Sequence, residues 1–184
     1  MICVMRYNVH MEQGEGEVQI NKTELPVRQT EETASEYLDR LEGTEKFLFH
    51  GSPYDGIKVL EPREAEDIGG DEWGNDTAIY AVLAVVAVGR AILPKRETIK
   101  GKWSISSGSN SDESGGPVTT VSKNVVPGEG SVYIVDKQGF VPDNRNSEWK
   151  SKEEAKVLGE VKVNPEDYTT MGGRIVTQDK PEQF

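Results

Sequence analysis

The stretch Phe47-Leu48-Phe49-His50-Gly51-Ser52 decides how this chain folds. Three large apolar residues in a row, followed by a glycine and a serine, indicate a short buried strand that ends in a turn. A second such stretch, Ala78-Ile79-Tyr80-Ala81-Val82, follows about thirty residues later and leads into an apolar segment. Each stretch therefore places a side chain that can bind a ligand, His50 or Tyr80, at the end of a buried strand.

Helices and further strands are predicted around these two strands. Residues 30–41 are expected to form a helix that Thr30 or Thr33 caps and that ends at Gly43, because apolar residues recur there at helical spacing. Residues 83–93 are expected to form a helix with apolar residues nearly all round, and hence to be largely buried. Further strands are predicted over 57–60, 131–135, 140–141, 156–163 (closed by Pro165) and 174–177, with a hairpin within 2–20. Strands dominate, so the fold class is α+β.

The domain organisation follows from length and local composition. With 184 residues the chain has room for one domain with a real core, and it is too short for two comfortable ones. Residues 1–45 are predicted to be an N-terminal extension of hairpin and helix, and residues 46–184 the domain itself. Residues 104–116 are almost entirely serine, glycine and asparagine. Such a segment buries little surface, so a flexible insertion is expected over about 101–130.

Composition excludes several classes of function. The net charge of −11 argues against broad electrostatic binding to nucleic acid, which needs clustered lysine and arginine. The longest apolar run, residues 78–88, is about half the roughly 20 residues that a membrane span needs. One cysteine and two histidines allow no internal disulfide and nearly exclude a structural zinc site. A cytoplasmic location is therefore predicted.

Three local patterns carry side chains that suit nucleotide chemistry. His50 sits beside the bare backbone of Gly51, which would let a flat ligand approach the main chain. Tyr80 could stack on a flat ring. Glu148 precedes Trp149, and a carboxylate beside a sugar could stabilise an oxocarbenium-like transition state. Each pattern on its own is more often an ordinary strand end or surface residue.

The order and spacing of these patterns carry more weight than any one of them. Five segments, taken in order, together resemble the ADP-ribosyltransferase superfamily. They are Phe47–Ser52, Leu60-Glu61-Pro62-Arg63, Ala78–Ala81, Val132-Tyr133-Ile134-Val135 and Ser147-Glu148-Trp149. The pattern looks most like the His-Tyr-Glu branch that includes the poly(ADP-ribose) polymerases, and it is also similar to the small bacterial rifamycin ADP-ribosyltransferases. The resemblance covers about residues 46–168, and it implies a split antiparallel β-sheet core with few helices and NAD as substrate.

The resemblance also implies a role for each matched residue. His50 would hydrogen-bond a ribose of NAD, the backbone of Gly51 would pair with the nicotinamide amide, and Ser52 would assist. Tyr80 would stack on nicotinamide. Glu148 would hold the 2′-hydroxyl of the nicotinamide ribose and polarise the bond that breaks. Arg63 would meet the pyrophosphate, an assignment that rests on its charge.

The sequence departs from the family pattern after Tyr80, and it does not decide which carboxylate takes the catalytic role. The helix there lacks the second tyrosine and the hydroxyl that relatives often carry. The rifamycin enzymes use an aspartate in the loop after the strand that resembles 132–135, so Asp143 competes with Glu148. Glu160 is a third candidate, but its mid-strand position predicts that it points to solvent. Glu148 is favoured because a glutamate beside an aromatic residue, just before the last long strand, resembles the polymerase pattern.

The predicted function is a mono-ADP-ribosyltransferase or NAD glycohydrolase with an unknown acceptor. One alternative is a non-catalytic module of the same fold that binds a nucleotide or a protein. A second is an acidic interaction protein, such as an inhibitor that mimics nucleic acid. A third is an RNA 2′-phosphotransferase, which should need several basic residues around the cleft, whereas the sequence has only scattered ones.

Overall fold

The computed structural model describes residues 23–64, 77–101, 105–111, 116–143 and 148–179. The hairpin predicted within residues 2–20 lies outside the described residues. Eleven strands are described: β1 Phe47–Ser52, β2 Val59–Leu60, β3 Ile79–Ala81, β4 Ile105–Ser111, β5 Pro117–Ser122, β6 Gly130–Asp136, β7 Val141–Asp143, β8 Glu148–Ser151, β9 Ala155–Lys156, β10 Gly159–Val163 and β11 Arg174–Gln178. The helices are α1 Ala34–Glu42, α2 Ala84–Ala91 and α3 Pro165–Thr170, with a 3-10 turn at Arg96–Thr98.

Helix α1 begins at the second of the two predicted caps. The Thr33 hydroxyl accepts a hydrogen bond from the backbone N–H of Glu36, and the Glu36 carboxylate accepts one from the backbone N–H of Thr33. This reciprocal pair satisfies two of the donors that a helix start leaves open. The helix ends at Gly43, as its sequence predicts.

Two three-stranded antiparallel sheets meet at a single bridge. The first has the order β1-β6-β10 and the second β3-β8-β7. Phe49 and Val82 exchange both backbone hydrogen bonds, at 3.1 and 2.9 Å, and thereby join the edge strand β1 to the end of β3. A third sheet has the order β11-β5-β4, and β2 pairs with β9. The α+β class is confirmed: few helices accompany several small, mostly antiparallel sheets.

Two glycines bring α2 close to the first sheet. A Cβ atom on Gly51 would lie 1.9 Å from the carbonyl oxygen of Ala87, and one on Gly130 would lie 1.9 Å from that of Ala91. No side chain fits at either position, so α2 rests on bare backbone of β1 and β6. The prediction of a largely buried helix is confirmed, since six of its eight residues are buried.

Helix α1 packs into the same core as α2 and the first sheet. Its buried residues Tyr37, Leu38 and Leu41 belong to one cluster with Phe49 and Val88. Helix α1 therefore shares a core with elements of the domain predicted over residues 46–184, and the boundary at residue 45 stays a prediction. Because the apolar stripe of α1 already marks it as core-facing, this packing follows from the pattern.

The region predicted as an insertion carries regular structure. Strand β4 lies within the Ser/Gly-rich segment and pairs with β5, and β11 pairs with the other edge of β5 in parallel. Backbone hydrogen bonds hold such a strand whatever its side chains are, and the Ser107 and Thr119 hydroxyls add a bond of 2.8 Å. Residues 105–111 thus form a strand that the sequence does not predict, and the flexibility of the insertion stays a prediction.

Helix α3 is absent from the sequence prediction. Pro165, read as the end of a strand, is the first residue of this helix, where its missing N–H costs nothing. Asn164 caps it by accepting hydrogen bonds from the N–H groups of Glu166 and Asp167 at 2.8 and 3.1 Å. The long strand predicted over 156–163 divides into β9 and β10.

Candidate functional site

The strands β1 and β3 separate just after their bridge, at Gly51 and Tyr80. Backbone groups alternate in direction along a strand, so the N–H and C=O of Gly51 point the same way as those of Phe49, toward β3. A regular ladder would continue with Gly51 N–H donating to Tyr80 C=O. Instead the Nδ1 of His50 donates to this carbonyl at 3.0 Å. Among the described residues no hydrogen bond to either backbone group of Gly51 is found on this side.

The contact with Tyr80 also fixes the protonation of His50. A carbonyl oxygen can only accept, so Nδ1 carries the hydrogen. Burial lowers the pKa of His50, and the nearby charges of Arg90 and Arg63 lower it further, against the opposing effect of the Tyr80 carbonyl. The imidazole is therefore neutral at pH 7, and its Nε2 is a hydrogen-bond acceptor.

Three of the predicted residues share one face of the second sheet. Tyr80 pairs with Lys150, Val141 pairs with Lys150, and Asp143 pairs with Glu148 across the strands. Residues two apart on a strand point to the same side, so Tyr80, Glu148 and Asp143 lie on one face. The opposite face carries Ile79, Ala81 and Trp149, which belong to an apolar cluster.

Both candidate carboxylates are held by cations. Glu148 forms an ion pair and hydrogen bond with the guanidinium of Arg90, which projects from α2. Asp143 pairs with Lys150 at 2.7 Å, and the same ammonium group lies 5.3 Å from the centroid of the Tyr80 ring. The exposed fractions of the Glu148 and Asp143 side chains are only 13% and 9%. A buried carboxylate needs such a partner, since burial without one is very costly.

Gly51, Ser52 and Arg63 occupy distinct environments. The absent side chain of Gly51 is required by α2, so packing alone explains the glycine. The hydroxyl of buried Ser52 accepts a hydrogen bond from the Tyr54 N–H at 3.2 Å and thereby holds the turn after β1. Arg63 is exposed and forms a two-bond bridge with Ala78, which brings its charge near His50.

The mid-strand position of Glu160 predicts that its side chain points to solvent, but the structure shows its carboxylate in hydrogen bonds. On β10 it stands in register with Tyr133 of β6, which in turn pairs with His50. Its carboxylate accepts hydrogen bonds from the Ser131 hydroxyl at 2.8 Å and the Gly56 N–H at 3.3 Å. Burial raises its pKa, but these bonds and the nearby Lys162 outweigh that effect, so the pKa is lowered. Glu160 is thus an ionised member of a structural network.

The structure connects the side chains of His50, Tyr80 and Glu148 only through other groups. His50 contacts the backbone of Tyr80 and not its ring, and by alternation it leaves β1 on the side opposite α2. Arg90 is the link, because it bonds Glu148 and its charge acts on His50. The sequence patterns do not predict a role for Arg90 or Lys150. Arg90 is the one charged residue in the apolar stretch 78–93, and that isolation was a usable signal.

Other classes of site find no support in the described residues. Within them no group of three or more histidine, cysteine, aspartate or glutamate side chains could hold a metal ion. No helix in the described part of the chain is long and apolar enough to cross a membrane. No protein-family model, curated protein or solved structure gives a significant match to the chain.

Proposed function

We propose that the protein binds NAD at the divergence of β1 and β3 and cleaves its nicotinamide–ribose bond, as a mono-ADP-ribosyltransferase or NAD glycohydrolase. The bond between C1′ and the nicotinamide nitrogen breaks, and nicotinamide leaves with the electron pair. An acceptor hydroxyl or water attacks C1′ and gives up a proton. The acceptor is unknown, and the cytoplasmic location stays a prediction.

The observation that carries the proposal is the open backbone edge at Gly51. One N–H and one C=O of the same residue point toward β3 without a hydrogen-bond partner among the described residues, and this pair matches the donor and acceptor of a primary carboxamide such as that of nicotinamide. The pair is left unbonded because His50 takes the place of the Gly51 N–H on the Tyr80 carbonyl. The same histidine offers Nε2 to a ribose hydroxyl.

The face of the second sheet that carries Tyr80 and Glu148, opposite to the side on which His50 leaves β1, offers the remaining groups. Tyr80 supplies an aromatic ring, and Glu148 supplies a carboxylate that the guanidinium of Arg90 orients. Arg90 bonds one carboxylate oxygen, so the other can accept from the ribose 2′-hydroxyl and stabilise positive charge that develops at C1′. Asp143 is bound to Lys150 and lies one strand farther from β3, which favours Glu148 as the carboxylate.

A non-catalytic module is the second candidate, and one observation favours it. Lys150 lies over the ring of Tyr80, where nicotinamide would have to stack. If this ammonium group keeps its place, the protein binds a nucleotide or another ligand without placing the scissile bond against Glu148.

The test is nicotinamide release from NAD by the purified protein. Glu148→Gln keeps the shape of the side chain and removes its charge, and we expect release to fall by roughly 100-fold or more. Asp143→Asn removes the charge that pairs with Lys150, and because Asp143 is not the carboxylate proposed to act at C1′, release should stay within about threefold. Circular dichroism checks that both variants fold.

Three results would change the proposal. Unchanged release by Glu148→Gln together with loss in Asp143→Asn would transfer the catalytic role to Asp143. If the wild-type protein binds NAD by calorimetry and releases no nicotinamide at high protein concentration, the module is correct. If the wild-type protein neither binds NAD nor releases nicotinamide, both the enzyme and the module are excluded.

A further inference from the structure

A cavity of about 250 Å³ lies between the turn after β1 and the end of α2. Its lining residues are Pro53, Tyr54, Arg90, Leu93, Pro94, Arg96 and Ile105. Two of the seven are arginines and none is acidic, in a chain whose net charge is −11. The two guanidinium groups offer donors to an anion, although Arg90 already pairs with Glu148 and the Tyr54 hydroxyl already donates to the Glu97 carboxylate.

The chemistry of the lining narrows the class of ligand. Guanidinium groups bind phosphate oxygens in pairs of parallel hydrogen bonds. The proline, leucine and isoleucine side chains give apolar walls, and Tyr54 adds an aromatic ring that Lys95 covers at 4.9 Å. An apolar cavity with a few convergent cations suits an organic phosphate better than a bare inorganic ion.

Arg90 connects this cavity to the candidate site. The guanidinium that lines the cavity is the one that bonds Glu148. In NAD the nicotinamide ribose and the diphosphate are joined through one methylene group. A ribose held on Glu148 would therefore place its diphosphate beside Arg90, on the side where Arg96 also lies.

We propose that this cavity binds the diphosphate of the dinucleotide, with Arg90 and Arg96 as its ligands. The inference rests on the proposed function, and it assigns the diphosphate to these two residues in place of Arg63. Arg90 then has two partners, the phosphate and Glu148. Binding of the diphosphate thereby affects the position of the Glu148 carboxylate. The carbonyl end of α2 disfavours an anion slightly, and two guanidiniums outweigh that effect.

Binding of two product fragments by calorimetry tests the inference without turnover. ADP-ribose contains the diphosphate, whereas nicotinamide contains no phosphate. Arg90→Gln and Arg96→Gln should each weaken ADP-ribose binding about tenfold, because each removes a charge-assisted hydrogen bond. Nicotinamide affinity should change less than twofold in Arg96→Gln. Arg28→Gln, at an exposed site next to α1, is the matched control and should change neither.

Arg96 is on the short turn Arg96–Thr98, which has no buried residue, so its variant tests the cavity even if Arg90→Gln loses its fold. Unchanged ADP-ribose affinity in Arg96→Gln would overturn the inference, as would loss of affinity in Arg63→Gln alone. Nicotinamide binding without ADP-ribose binding by the wild-type protein overturns it while the proposed function stands. ADP-ribose binding that depends on both arginines, without nicotinamide release, leaves the diphosphate site and removes the enzyme.

Discussion

The two faces of strand β1 differ in what they tolerate and in what they can do. Phe47 and Phe49 are buried in the same core as α2, and a Cβ atom on Gly51 would meet the Ala87 carbonyl of that helix. Leu48, His50 and Ser52 face the other way: Leu48 joins a second apolar cluster, and the two polar side chains form specific hydrogen bonds. The alternation of side chains thus gives the strand one face of packing alone and one face that combines packing with polar contacts. Substitutions on the first face should change folding, and on the second face only His50 should also change binding.

Gly51→Ala should have the largest effect. The new methyl group would lie 1.9 Å from the Ala87 carbonyl oxygen, which is backbone and cannot turn aside. Either α2 or β1 must shift, and we expect the free energy of unfolding to fall by about 3 kcal/mol or more. Urea denaturation followed by circular dichroism measures this.

Gly128→Ala is the matched control for the same change. A Cβ at this position meets no atom within 4 Å. The free energy of unfolding should change by less than about 0.5 kcal/mol. Equal losses in both variants would mean that glycine itself, and not the contact with α2, matters at residue 51.

The sequence predicted the first face of β1 better than the second. Apolar runs predict burial, because hydrophobic contacts are not directional and need only apolar side chains. Phe47-Leu48-Phe49 and residues 83–93 are such runs. The α+β class and helix α1 followed from the same signal. The missed helix α3 has a clear start signal in Asn164 and Pro165, which was read as the end of a strand.

The candidate site was predictable only in part. His50, Tyr80 and Glu148 could be chosen from their types and order, but their connection depends on partners from distant segments. Arg90 on α2 and Lys150 on β8 carry charges that could have faced solvent equally well. No local pattern specifies that the His50 ring, and not the Gly51 N–H, reaches the Tyr80 carbonyl, since that contact depends on how two strands diverge.

His50→Gln should have the next largest effect on stability, and this effect depends on pH. The folded state depresses the pKa of His50 below its unfolded value near 6.5, so the unfolded state binds more protons below that pH. Stability from this group is full above pH 6.5 and falls as the pH drops toward the folded pKa. The slope cannot exceed about 1.4 kcal/mol per pH unit.

Urea denaturation at pH 7.0 and pH 5.5 isolates this contribution, because most carboxylates titrate below that range. The wild-type protein should lose more stability between the two values than His50→Gln does. Nicotinamide release by the variant should be nearly lost at both values. If the two proteins lose equal stability, the imidazole is not held neutral by burial and the assignment of its Nε2 as an acceptor is wrong.

Ser52→Ala should have the smallest effect, and it decides between two roles for that hydroxyl. The substitution removes the acceptor of the Tyr54 N–H and should lower the free energy of unfolding by about 1 kcal/mol. Because the hydroxyl already serves the turn, we expect the KM for NAD to stay within about twofold of the wild-type value, provided that the turn keeps its shape. A KM raised tenfold with unchanged stability would place Ser52 against the substrate, as the family resemblance implies. The polar face of β1 would then contribute a second side chain, besides His50, to binding.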